Sequence, residues 1–330
     1  MGRVSTFADP EVLKLTQTAF VPLSTDDWYT RRRKDSEGEF FRKVADQSPR
    51  KGLNGATRQG IYVFTADGEL LAFKNNGGDA EDMKKVFAQA KAKFDRLPEA
   101  RRKPGGVTVP ASGKPDPNFH RVLPEDGLVL KVHGRILQSK AEAFVKGTCE
   151  FTGGDGASRD YCWITAGEKT SLIPAKLEAG FCYDVPAKIA VRLARFHLID
   201  NTRGEPEFWT KEHIRKNHMT LTVTAVAEDA VELRLDGDVL LSADADSAKS
   251  KLGYEPKLRG TLRYIPSKKT FDRFDAVALG DYWGQTTYTP GARPGRQPFG
   301  VSFGLADTTK AGERIAPQGL RDRDTYLGRD

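Results

Sequence analysis

Residues Thr220 to Leu241 read TLTVTAVAEDAVELRLDGDVLL, and apolar and polar side chains alternate through most of the span. A period of two puts successive side chains on opposite faces of an extended chain, so the run describes strands with one buried face. The break near Ala227-Glu228-Asp229 turns it into a long hairpin. Neighbours for that hairpin are legible in GLVLKVHGRIL, YCWITA, KLRGTLRYI, FDAVALGDYW and FGVSFGLA, each short and each alternating or continuously apolar. GFCYDV reads the same way, with Cys182 as a core strand residue. One segment interrupts the strands. VPAKIAVRLARFHLIDNTRGE has Pro186 near its start and Ile189, Leu193, Phe196 and Ile199/Asp200 at helical spacing. Ile189, Val191 and Leu193 also alternate, which leaves a bulged strand open, but Ala, Lys, Arg and Leu dominate and favour a helix. Many strands and one helix predict an antiparallel sandwich or partly open barrel over residues 119–330. The polar tail from Thr308 onward is expected to be loosely ordered.

The first third of the chain has a different texture. DPEVLKLTQTA starts a helix with Asp9 as N-cap and Pro10 at the first helical position. FVPL, Phe20 to Leu23, is a short apolar run read as a buried strand. DSEGEFFRKVADQ is helical in spacing, and IYVF and ELLAF form a hairpin across Ala66-Asp67-Gly68. DAEDMKKVFAQAKAKFDRL is a helix capped by Asp79, with Met83, Val86, Phe87, Ala90 and Phe94 on its apolar face. Residues 98–118 are rich in proline and glycine and read as a linker, so the chain divides into 1–97, 98–118 and 119–330. At 330 residues and 38% hydrophobic it is long enough for two cores, and the whole is α+β.

Element order and the DGELL hairpin make residues 1–97 resemble the thioredoxin-like superfamily. The resemblance implies an α/β fold with a Cys-x-x-Cys opening a helix beside a tryptophan, and a cis-proline just before the hairpin strand. Trp28 of FVPLSTDDWYTRRR matches the tryptophan, and Tyr29 and Arg32 stand where the two cysteines belong. Gln59 and Gly60 stand at the cis-proline position, and no cysteine precedes Cys149. Thiol–disulfide oxidoreductase chemistry is therefore not expected here. What the resemblance leaves is a redox-inactive scaffold with a peptide-binding groove beside Trp28, Tyr29, Arg32, Gln59 and Gly60, or a packed domain that supports its neighbour.

Other chemistry is sparse. The densest polar constellation is RFHLIDNTRGEPEFW. On a helix, His197 and Asp200 at i and i+3 could touch, the pair a general base needs, with Arg203 and Glu205 following. No nucleophile motif accompanies them. A helix end tied down by Arg203 is the structural alternative. KEHIRKNHM spaces His213 and His218 at i and i+5, which does not face one metal on a helix, so no metal or cofactor is expected. GDYWGQTTYTPGARPGRQPFG gathers Tyr282, Trp283, Arg293 and Arg296 into a long loop, either a ligand surface or a loop packed by its own aromatics.

Net charge is +7, most of it before Asn118, with a basic cluster at Arg31 to Lys34. That cluster could contact phosphate, but Asp26, Asp27, Asp35, Glu37 and Glu39 surround it, so nucleic acid is an unfavoured partner. Three cysteines argue against a disulfide framework, although Cys149 and Cys162 could pair in an oxidising compartment. No apolar run approaches the ~20 residues of a membrane span. MGRVSTFADPEVLKL has no apolar signal region, so the cytoplasm is the default compartment, and an extracytoplasmic one if a leader has been trimmed. The expected function is non-enzymatic binding or adaptor activity toward a protein or peptide. The alternatives are a hydrolase-like enzyme around His197, Asp200, Arg203 and Glu205, and a basic nucleic-acid-contacting protein.

Overall fold

The computed structural model describes residues 6–52, 56–75, 79–109, 111–119, 121–137 and 157–328. The chain forms two compact units, Met1–Arg121 and Val122–Asp330.

The first unit runs α1 (Pro10–Ala19), α2 (Asp27–Thr30), α3 (Ser36–Ala45), β1 (Ile61–Phe64), β2 (Leu70–Lys74), α4 (Ala80–Asp95) and α5 (Glu99–Arg102). Local signals set these boundaries. Asp9, Asp26, Asp35 and Asp79 each cap a helix by accepting backbone N–H bonds, which satisfies donors the first turn leaves orphaned. β1 and β2 pair antiparallel. Met83, Phe87 and Ala90 of α4 close over Val63, Leu71 and Ala72 with Val12 of α1. The expected strand at Phe20–Leu23 does not form: Val21 is 87% exposed and Leu23 78%. Four apolar residues carry no periodicity that separates a strand from an extended connection.

The segment read as a linker is bonded to this unit. Arg101 pairs with Asp67 and Glu69, the Gly113 N–H donates to Ser36 Oγ, and the Asp116 N–H donates to Asp35 Oδ2 at 2.7 Å. Arg33 holds the same carboxylate, and the Gly38 N–H donates to its other oxygen. Burial opposes ionisation of Asp35, but these donors outweigh it and hold the carboxyl down at about 2.

The second unit runs β3 (Leu128–Ile136), β4 (Asp160–Ile164), α6 (Ala166–Ser171), β5 (Cys182–Asp184), α7 (Ala187–Arg192), β6 (Ile214–Val226), β7 (Val231–Ser242), β8 (Gly253–Ile265), β9 (Thr270–Trp283), β10 (Gln297–Leu305) and α8 (Arg323–Leu327). Its strands form one eight-stranded antiparallel sheet in the order β4-β3-β10-β9-β8-β7-β6-β5. This removes the two-sheet sandwich. β6 and β7 are the long hairpin read from the sequence, closed by Ala227 N–H to Ala230 C=O. α7 continues into a π-helical turn, Leu193–His197, which contacts both β4 and β6 near opposite ends of the strand order. The sheet therefore curls, and the helix sits between its two edges. Inward side chains of every long strand, with Ile189, Leu193 and Ile199, make one core.

The tail is not loose. Leu320 and Tyr326 are buried at 5% and 1% exposure, and they cover Val129, Tyr161 and Trp163 on the outer face of β3 and β4. Beyond the single helix expected, α6 and α8 brace this corner. Arg192 forms a two-pronged pair with Glu168 of α6 and donates to the Trp163 and Tyr326 carbonyls. Cys182 lies exposed in its short edge strand rather than in the core. Cys162 is buried; the pairing considered for it involves Cys149, which lies outside the described residues.

Candidate functional site

The polar constellation at the end of α7 is distributed over three separate pairings. His197 and Asp200 do not meet. The π turn, closed by Leu198 N–H to Leu193 C=O, shifts the residues after it from simple α-helical spacing. His197 is buried, its Nε2 2.9 Å from the Tyr326 hydroxyl and its Nδ1 3.5 Å from Asp160 Oδ2. The second distance is that of an ion pair rather than a close hydrogen bond. The Trp163 N–H donates to the same tyrosine oxygen, and the Gln318 N–H to Asp160 Oδ1. Burial opposes a charge on the ring, but the Cys162 sulfur and the Asp160 carboxylate favour it and lift His197 to about 9. The result ties the C-terminal segment to β4. The exposed Glu205 accepts from Gln318 Nε2 and pairs with Arg321, fastening the same segment from outside.

Asp200 pairs instead with Arg203. The guanidinium donates Nε to Asp200 Oδ2 at 2.8 Å, and its other nitrogens to the carbonyls of Thr289 and Gly284 at 2.8 and 3.0 Å. Asp200 Oδ1 accepts from the Thr202 N–H and hydroxyl. Both side chains are buried, at 8% and 5% exposure. Gly284 has φ +83, and a Cβ there would lie 2.0 Å from the Lys251 carbonyl, so the loop's start admits only glycine.

The residues of the aromatic loop are engaged with neighbouring segments of the second unit. The Trp283 indole donates to the Ser250 carbonyl, and Arg296 lies 3.8 Å over its ring while pairing with Glu255. Arg293 donates to the Leu137 and Pro298 carbonyls. Tyr282 is buried among Tyr254 and Phe299. Asp200, Arg203, Tyr282, Trp283 and Arg293 thus surround one small enclosure with Ile136 and Gly284. Its volume is about 20 Å³, room for a single water. Two stretches far apart in the chain meet there, and the space between them admits no organic substrate.

In the first unit, Asp27 at the start of α2 accepts from Thr57 Oγ1 and the Arg58 N–H, which brings the loop before Gln59 and Gly60 against the turn carrying Trp28. Arg32 lies 4.4 Å over the Trp28 ring, and Phe119 packs on its side. Tyr29 is buried, with Arg121 over its ring. Gln59 is exposed, and a Cβ on Gly60 would strike Phe73. Two of the four cations of the basic cluster are paired with surrounding carboxylates, Arg31 with Asp27 and Arg33 with Asp35 and Glu37.

A larger concavity lies where sequence reasoning did not look. On the outer face of the sheet, register aligns His133, Ser302, Val277 and Arg259 across four adjacent strands. One step along, Lys131, Gly304 and Asp275 align in the same way. These residues line an open trough of about 430 Å³. Its floor is β10, whose outward positions include Gly300, Ser302 and Gly304, while Phe299, Val301 and Phe303 point into the core. Most sheet glycines are required by crowding: a Cβ would lie 2.6 Å from Ser158 Oγ at Gly134, 2.7 Å from Ala276 Cβ at Gly260 and 2.0 Å from the Glu255 carbonyl at Gly280. At Gly304 the nearest atom to a Cβ would be 4.0 Å away, so the fold itself leaves room there, whereas Gly300 is buried and a Cβ on it would touch the Leu137 and Leu279 side chains at 3.6 and 3.7 Å. Val277 and Leu279 remain exposed beside them, at 43% and 51%. Burial lowers the His133 pKa, and the charges of Arg159 and Lys131 lower it further. The only sequence signal for this trough was the alternation of glycine with Phe and Val in FGVSFG.

The fold and sites define an α+β chain of two units, the second an open, helix-filled curl of eight antiparallel strands. No protein-family model, curated protein or solved structure matches it. Among the described residues no group of three or more His, Cys, Asp or Glu is placed to hold a metal ion. Among them, too, no helix is long and apolar enough to cross a membrane.

Proposed function

We propose that the protein works by binding, as an adaptor, and that its contact surface is the outer face of the sheet over β3, β10, β9 and β8. The observation that carries this reading is the open trough of about 430 Å³ on that face, a volume within the ~300–1,000 Å³ range of ligand sites. The alternative centre at Asp200 and Arg203 encloses about 20 Å³. His197, Asp200, Arg203 and Glu205 are each engaged in pairings that hold loops, which supports a structural role for them. The first unit enters this reading as a redox-inactive thioredoxin-like scaffold, supported by the Asp27 bonds that join the Trp28 turn to the loop before Gln59 and Gly60.

The test is a nuclear magnetic resonance screen of the whole chain against mixed small anions, cations and short peptides. Binding at the sheet face shifts the amides of Lys131, His133, Val277 and Ser302 and leaves every compound unchanged. Shifts confined to the residues around Asp200 and Arg203, or a compound consumed in a His197-dependent way, would replace this reading with the hydrolase-like one.

A further inference from the structure

The trough also points to what it binds. Its floor is one strand wide, bare at Gly304, and its walls rise from β3 and β9 on either side. Walls two strand spacings apart stand about 9–10 Å from each other, which admits one extended chain. A glycine in the middle of a strand weakens the sheet and commonly marks a close approach of another backbone. The two walls differ in character. The β3 wall carries Lys131 and His133, and the β9 wall carries Asp275 and the apolar Val277, with Leu279 exposed beyond it.

Charge settles the sign of the occupant. Lys131 is offset by Glu313, Arg259 by Asp236, and Asp275 by Arg273. Beyond these pairs the surroundings add Arg159, close enough to His133 to repel a proton from it, and Lys257, which lies between Leu279 and Asp238 and shares that carboxylate with Lys216. The local balance is positive. Resting on the binding reading above, we propose that the trough receives an extended acidic segment of a partner protein. Its apolar side chains lie against Val277 and Leu279, and its carboxylates face Lys131, His133 and Arg259.

The experiment uses the full chain and two fluorescein-labelled decapeptides, one alternating Glu and Val, the other alternating Lys and Val. Fluorescence anisotropy should show the acidic peptide binding at least tenfold more tightly than the basic one, and weakening as salt is raised. Gly304→Val puts a side chain on the floor where a Cβ meets nothing closer than 4.0 Å, so it should weaken the acidic peptide at least tenfold while the urea midpoint stays at or above that of the parent. Arg259→Glu should weaken it similarly and reduce its salt dependence. Equal affinity for the two peptides, or undiminished binding in the filled variant, overturns the proposal. If the acidic peptide fails to bind while small compounds still shift the trough amides, the acidic-segment assignment falls and the binding face stands. If neither binds, both fall.

Discussion

Replacing Arg203 by alanine removes the cation that pairs with Asp200 and frees the carbonyls of Gly284 and Thr289. The two side chains are 8% and 5% exposed, so water cannot take over these bonds without opening the loop. Removing one partner of a buried pair costs about 3–5 kcal/mol, because the other charge stays buried. For a folding unit of this size, each kcal/mol lowers Tm by roughly 2–4 °C, so the second unit should melt about 10 °C lower. Calorimetry measures the drop, and hydrogen exchange at residues 284–290 should show it originating in the loop. Asp200→Ala should destabilise as well, and the double variant should lose much less than the two single losses combined, as coupled neighbours do. A Tm within about 2 °C of the parent, roughly 1 kcal/mol or less, would refute the buried-pair reasoning. A fully stable Arg203→Ala chain that had lost ligand binding or turnover would go further, making the cluster a functional site.

His197 is raised to about 9, so its contribution is fully present below the ordinary value near 6.5 and fades as pH rises through about 9. The urea-midpoint difference between parent and His197→Ala should therefore be larger at pH 6 than at pH 10, and a pH-independent difference would contradict the Asp160 pairing. Asp35 moves the other way. Its stabilisation is present above the ordinary value near 4 and disappears as pH falls toward about 2. Asp35→Asn should thus differ from the parent in stability at pH 6 and converge with it at pH 2; parallel curves would discount the carboxylate. Tyr326→Phe leaves the Trp163 N–H and the His197 ring without their shared oxygen, an expected loss of about 1–3 kcal/mol in urea unfolding. An unchanged midpoint would mean that the C-terminal segment is held by its apolar contacts alone.

Much of this protein is fixed by local sequence. The aspartate caps at Asp9 and Asp79, the β1–β2 turn and the β6–β7 hairpin are where the residues put them. Caps, turns and alternation act over a few residues, and the side chains that satisfy them are neighbours in the chain. The run Phe20–Leu23 failed for the same reason: four apolar residues state a preference for burial, but only a neighbouring strand could grant it. Proline and glycine in residues 98–118 report backbone conformation, whereas the bonds of Arg101 and Asp116 to Asp67, Glu69 and Asp35 are set by residues far away in the chain.

The sites were decided by tertiary structure. His197 and Asp200 are three residues apart, yet they face Asp160 with Tyr326 and Arg203 with the aromatic loop, because a π turn and a sheet edge intervene. The trough is further from the sequence still. Lys131, His133, Arg259, Asp275 and Ser302 become neighbours only through antiparallel register across four strands. Such register is set by which faces the whole sheet buries, a long-range balance of apolar area that no local window of sequence contains.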